Sequence, residues 1–329
     1  MVDAEGGTPM TDERANQAGD ESEIEEEPMD EESTTDDSTE HVPIDDDSTE
    51  HVPTDDDSID GSSIDEESFE TIEVSVGDRH EHVATVTIDR TEARNALNAT
   101  VRAELKRALP ALEGDDRVRV VVLTGSAEAK AFVAGADVGE LRERNLVEQR
   151  AKSARPRVYE LVDELDLPVI ARINGHALGG GCELATACDV RYADERAKLG
   201  QPEITLGLIP GGGATQRLPR LIGEGQAMRL ICSGELIDAT EAAEIGLVDG
   251  VFAPEELDEA VYDLAASMAS NSPLALQYAV QAVRASSRMS LEQGIDYESE
   301  LFVQLFATED KNEGIDAFFE DRPPEWRGR

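Results

Sequence analysis

The sequence predicts an α/β body ending in helices, preceded by a long acidic tail. Three observations carry this expectation. Short, continuously apolar runs at 118–123 and 168–173 suit strands buried on both faces. Stretches with helical spacing of apolar residues separate these runs, the alternation expected of α/β proteins. After Phe252 strand-like runs stop, and 254–320 reads as four helices.

The 329-residue chain carries a formal net charge of -44, from 73 Asp and Glu against 29 Lys and Arg. Residues 1–70 hold 28 of the acids and a single basic residue, Arg14, leaving the rest near -17. Residues 1–69 combine acids with Ser, Thr and Gly and have few large apolar side chains. Burial there is too small to offset chain entropy, so the segment is expected to be disordered. Inside it DDSTEHVPID (36–45) repeats as DDSTEHVPTD (46–55) and degenerates at 56–65. The unit is too polar to stack a core. His41 and His51 stand among carboxylates, and a solvated, solubilising tail is the reading preferred over a metal site. The expected divisions are therefore a tail at 1–69, a body at 70–253 and a helical end at 254–329.

Order is expected from about Phe69. Alternating residues on either side of Gly77-Asp78 predict a hairpin. Asn98 suits the N-cap of a helix whose Val101, Leu105, Leu109 and Leu112 share a face until Gly114. A strand follows at 118–123, then a helix at 155–166, a strand at 168–173, a Gly-rich turn and a helix from about 181. In the terminal helices Ile295, Phe302, Leu305 and Phe306 form a seam; by pattern alone it is expected to pack on the chain's own core.

Charge and composition exclude several functions. A strongly negative chain repels phosphate backbones and anionic headgroups, so neither nucleic acid nor a membrane surface is an expected partner. No apolar run approaches the roughly 20 residues of a membrane span, and the first residues lack a secretory pattern. Cys182, Cys188 and Cys232 make neither a disulfide framework nor a metal cluster. A reducing, cytoplasmic setting is expected. Only five of the 29 basic residues are Lys. Heavy acid with little Lys fits a protein kept hydrated in concentrated salt, where the Debye length shrinks to about 3 Å at 1 M.

No G-x-S-x-G elbow or H-E-x-x-H motif is present, and the run Gly211-Gly212-Gly213 lacks the Lys-Ser/Thr of a phosphate-binding loop. Two small-residue turns and two carboxylates remain. One turn is Ala131 to Asp137. The other is Ala177 to Glu183, which opens a helix and aims backbone N–H groups from its positive end. Facing turns of this kind can offer two donors to one developing oxyanion. Glu183 and Glu203, sharing a dry pocket, would differ in pKa, one serving as acid and the other as base.

AFVAGADV (131–138), GHALGGGCELATACDVRYA (175–193) and GQPEITLGLIPGGGATQRLPRLIG (200–223) resemble the crotonase (enoyl-CoA hydratase/isomerase) family. SGELIDATEAAEIGLVDGVF (233–252) and EGIDAFFEDRPPEWRG (313–328) are similar to it as well. The match spans about 70–329. The resemblance implies a spiral of repeated ββα units, capped by C-terminal helices that build a homotrimer or a dimer of trimers. It implies that the N–H groups of Ala134 and Gly180 hold the thioester oxygen of an acyl-CoA. Gly135, Ala136 and Asp137 would line the acyl-CoA site with Gly179 and Gly211, while Ala93 and Arg94 belong to the loop that meets adenine.

Glu183 and Glu203 fall on the two glutamate positions of the hydratases, which implies addition of water to a trans-2-enoyl-CoA. Glu183 would assist attack at C3 and Glu203 would protonate C2. No metal or redox cofactor is expected, since coenzyme A arrives with the substrate. Rival readings are a double-bond isomerase and a catalytically silent CoA-binding trimer. One departure stands out: many relatives carry Lys after Ala136-Asp137-Val138, where this chain has Gly139-Glu140.

Overall fold

The computed structural model describes residues 68–329. Expectations for the acidic tail, its repeat and His41 and His51 lie outside these residues. Phe69 is already part of the body, packing against the core with the Arg107 guanidinium 5.1 Å from its ring centroid.

The chain opens with the expected hairpin, β1 (Ile72–Val76) antiparallel to β2 (Val83–Ile88). Helix α1 (Ala99–Glu113) starts where Asn98 accepts the Val101 N–H at 2.8 Å and ends at Gly114. From there strands come in pairs. β3 (Val120–Gly125) leads to β4 (Ala131–Val133), β5 (Val169–Ile173) to β6 (His176–Leu178), and β7 (Val190–Asp194) to β8 (Lys198–Gly200). The first member of each pair joins one sheet and the second member another.

Helices close each turn: α2 (Val138–Glu143), α3 (Leu146–Lys152) and α4 (Val158–Glu164) after the first pair, α5 (Gly180–Ala187) after the second, and α6 (Ala214–Ser233) after the third. β9 (Leu236–Asp238), α7 (Ala239–Glu244) and β10 (Gly250–Phe252) finish the winding. The six-stranded sheet has order β1-β2-β3-β5-β7-β10, parallel except for β1, and the four-stranded sheet has order β4-β6-β8-β9. The connectivity is a ββα spiral.

The period-2 alternation of β3 explains its continuously apolar sequence. Val121 and Leu123 point into the main core, against α1 and the helices of the spiral. Val120 and Val122 point the other way, where α8 (Leu257–Ala269) covers them with Leu257, Val261 and Ala265. The first of the C-terminal helices thus completes the body's own core. The other three are α9 (Pro273–Ala285), α10 (Leu291–Leu305) and α11 (Glu309–Glu320).

The α10 seam does not pack on the chain's core, contrary to its pattern. Ile295, Phe302 and Phe306 are exposed, and Leu305 is half-buried. The C-terminal strand of chain is instead fastened by buried Asp310, which accepts from Ser272 Oγ and Arg327 N at 2.7 Å each. β6 occupies what reads as a plain Gly-rich turn, since three residues are too few to display a period.

Candidate active site

Glu183 is in the first turn of α5, where the sequence predicts it, and its side chain is buried. Its Oε1 accepts the Gly212 N–H at 2.6 Å and the Ala214 N–H at 3.1 Å, both from the loop that opens α6. Burial raises its pKa, while the two amides and the charges of Arg157 and Arg217 oppose the rise. This carboxylate is a firmly oriented acceptor.

Glu203 lies in a 3-10 turn (Pro202–Leu206) and is half-buried. Burial pushes its pKa up to about 7, its own backbone N–H opposes, and repulsion from Glu183 adds to the rise. The buried Gln201, with its amide nitrogen turned to that carboxylate, stands 3.3 Å from both oxygens. Glu203 rests on Gly179: a Cβ there would meet Glu203 Oε1 at 2.8 Å, and the φ of +50° also favours glycine.

The two glutamates open into one cavity of about 570 Å³, whose wall also includes Ala136, Tyr159, Gly180, Gly211, Leu141 and Leu146. Tyr159 projects from α4 beside Gly180, 3.0 Å from where a Cβ on that residue would stand. Burial first, then the charge of Glu183, pushes its phenol up to about 12, so it remains a neutral hydroxyl beside Arg102. Burial likewise pushes the Cys182 thiol up to about 12.

The expected pair of main-chain donors needs a correction. The Ala134 N–H donates to the Arg94 carbonyl at 3.1 Å, and Ala134 is not on the cavity wall. Two residues on, Ala136 reaches the wall. Its neighbours hold it against Leu97, with Leu97 N donating to Gly135 O at 2.8 Å and Asp137 N to Leu97 O at 3.1 Å. That pairing turns the Ala136 amide the other way, to within 3.4 Å of the Cβ position of Gly180. Gly180, as first residue of α5, has an N–H with no intrahelical acceptor. Among the described residues nothing accepts from either amide.

Of the other expected binding residues, Ala136 and Gly211 line the cavity, whereas Ala93, Arg94, Gly135, Asp137 and Gly179 do not. Several of them make defined contacts beside it. Asp137 caps α2 and pairs with Arg90 at 2.7 Å. Gly135 takes a φ of +115° against the Leu178 carbonyl, and Arg94 is left-handed at φ 51°. Glu140, two residues after Val138, accepts from the first amide of α1 and pairs with Arg144.

Sequence reasoning missed Tyr159, Arg157, Gly212 and Gln201. Gln201 and Gly212 were within view, two residues before Glu203 and inside the triglycine run. Tyr159 and Arg157 gave no signal beyond a charged, weakly patterned stretch. No group of three or more His, Cys, Asp or Glu suited to a metal is present among the described residues, nor any helix long and apolar enough to cross a membrane.

A family model described as Enoyl-CoA hydratase/isomerase matches residues 78–329. The 2,3-dehydroadipyl-CoA hydratase of Escherichia coli (strain K12) is 44% identical over 251 residues, covering 76% of this chain and 97% of that protein. The short-chain-enoyl-CoA hydratase of Clostridium acetobutylicum is 42% identical over 246 residues, covering 74% and 94%. Among solved structures, an enoyl-CoA hydratase from Bacillus anthracis superposes with a TM-score of 0.75 at 41% identity. That match covers 79% of this chain and all of the other.

Proposed function

Because the chain belongs to the enoyl-CoA hydratase/isomerase family, we propose that it is a hydro-lyase that adds water to a trans-2-enoyl-CoA, giving the 3-hydroxyacyl-CoA. One observation carries the reading: two glutamates, one buried and held by the Gly212 and Ala214 amides, share a cavity with two unpartnered amides. The Ala136 and Gly180 N–H groups take the thioester oxygen. As charge develops there they stabilise the enolate, and losing one such donor typically costs on the order of 100- to 1000-fold in rate.

Glu183, anchored by the Gly212 and Ala214 amides, accepts a proton from water as its oxygen bonds to C3. The C2–C3 π electrons move toward the thioester, and Glu203, whose raised pKa of about 7 keeps a protonated fraction at neutral pH, delivers its proton to C2. The step leaves Glu183 protonated and Glu203 ionised, and exchange with solvent water restores both. No metal or redox group takes part in this reading, since coenzyme A is carried in by the substrate.

Lys106 and Lys152, on the cavity wall, attract the phosphates of coenzyme A. They compensate for the Lys absent after Val138. The exposed apolar face of α10 and α11, where Leu291 is 83% exposed and Phe318 and Phe319 80%, supports assembly into a trimer or a dimer of trimers. Acid-rich composition with few Lys supports a cytoplasm of high salt.

Crotonyl-CoA in concentrated salt tests the activity. Formation of 3-hydroxybutyryl-CoA is expected. If the only change is a shifted double bond in a 3-enoyl-CoA, the isomerase reading replaces this one.

A further inference from the structure

The hydrogen bonds around Glu183 lead to the guanidinium of Arg157, which also belongs to the cavity wall. Arg157, at the N-cap of α4, donates from Nη1 to the Gly211 carbonyl at 2.5 Å. The Gly211 C=O and the Gly212 N–H are the two ends of a single planar peptide group. Its other end donates to Glu183 Oε1 at 2.6 Å. We propose that Arg157 is the positioning residue for Glu183, fixing and polarising the peptide group that holds the catalytic carboxylate. The proposal rests on the hydratase reading above.

Two features make this more than a surface contact. First, the gripped loop is Gly211-Gly212-Gly213, with Gly213 at φ 119°, so its residues lose more freedom on ordering than any others. Gly212 has no room for a side chain: a Cβ would lie 2.5 Å from the Tyr159 ring and 2.7 Å from Glu183 Oε2. Side-chain packing therefore cannot hold this loop, and its carbonyls must be held instead. Arg217 takes the next one, with Nη1 donating to Gly212 O at 3.0 Å.

Second, Arg157 is itself anchored. Its Nε donates to Glu160 Oε1 at 3.0 Å, and its backbone N–H to Glu160 Oε2 at 3.0 Å. Burial works against the Glu160 charge, but hydrogen bonds from Arg157 and Arg155 outweigh it and hold that carboxyl at about 2. The chain Glu160–Arg157–peptide–Glu183 is thus ordered from end to end. Successive polarised hydrogen bonds strengthen one another in a low-dielectric interior.

The groups facing Glu183 are Arg157, Arg217, the Glu203 carboxyl and the Tyr159 hydroxyl with Arg102 behind it. Of these only the two arginines act through the loop that donates to it.

The test is the pH profile of crotonyl-CoA hydration by the full-length enzyme and by Arg157→Met and Arg157→Lys. Arg157→Met is expected to lower kcat about 10- to 100-fold, the effect of weakening one charge-assisted bond. Its KM should stay within about 2-fold, and its acidic limb should move to higher pH. Arg157→Lys, which keeps a cationic donor to the Gly211 carbonyl, is expected to restore most of both. A folded Arg157→Met enzyme with unchanged kcat, or with lowered kcat and an unmoved acidic limb, overturns the proposal. If Arg157→Met does not fold, Glu160→Gln, which frees the guanidinium, is expected to raise the acidic limb; an unmoved limb in that variant overturns it too. A wild type that forms no hydrated product instead sinks the hydratase reading itself.

Discussion

Replacing Glu203 by Gln should disable the enzyme and stabilise it, but only at neutral to alkaline pH. Glu203 sits on Gly179 with its pKa raised from 4.5 to about 7, by burial first and then by repulsion from Glu183. Between those values the folded chain retains a proton that the unfolded chain has released. Wild-type stability therefore falls as pH rises through the window from 4.5 to 7. The rise from 4.5 to about 7 sets a ceiling of roughly 3 kcal/mol. The carboxyl is only half-buried, and solvent screening reduces this to about 1–2 kcal/mol.

Gln keeps the shape and removes the titration. For a body of this size, that gain corresponds to a melting midpoint about 3–6 °C higher than wild type at pH 8.5. The gap should largely close at pH 5, still above the sequence pI of 4.2. Melting at fixed protein concentration in concentrated salt, paired with crotonyl-CoA turnover, reads both effects. Wild-type activity in Glu203→Gln, or a variant no more stable than wild type at pH 8.5, would refute the reasoning. Such a tension between function and stability is expected at a site that keeps a carboxylic acid out of water.

Three further expectations follow from the geometry. Gly212→Ala drives a methyl group into Tyr159 and Glu183; steady-state kinetics should show hydration reduced about 100-fold, and near-normal kcat would contradict the packing. Asp310→Ala removes the acceptor of Ser272, Arg327 and Gly328. It should cost about 3 kcal/mol and expose the C-terminal segment to trypsin, measured by melting and by the rate of cleavage. Deleting residues 1–67 should leave kcat within about 2-fold, since among the described residues the cavity wall begins at Ala99. Extending the deletion through Phe69 should lower the melting midpoint, because that ring packs on the core beside Arg107.

Much of the site was legible because its signals are local. Glu183 in an apolar helix start, Glu203 after Gln-Pro and the glycines before α5 each stand out within a few residues. Local patterns misled where a residue's partner was distant. The small-residue turn at 131–137 suggests free amides, but only the packing of Arg94 and Leu97 against it decides which. It occupies the Ala134 N–H and leaves that of Ala136 to the cavity. Likewise, the α10 seam reads as core, yet it stays exposed, and the sheet face of Val120 and Val122 is covered by α8.

The sequence by itself determined the hairpin, α1, the strands β3 and β5 and the four terminal helices, since periodicity and capping act over a few neighbouring residues. It also determined the identity of the two glutamates. Tertiary structure alone decided their different chemistry. A carboxylate's proton affinity depends on lost water and on donors brought from far along the chain. Here burial raises the proton affinity of both, the Gly212 and Ala214 amides oppose it at Glu183, and repulsion from Glu183 adds to it at Glu203 over Gly179.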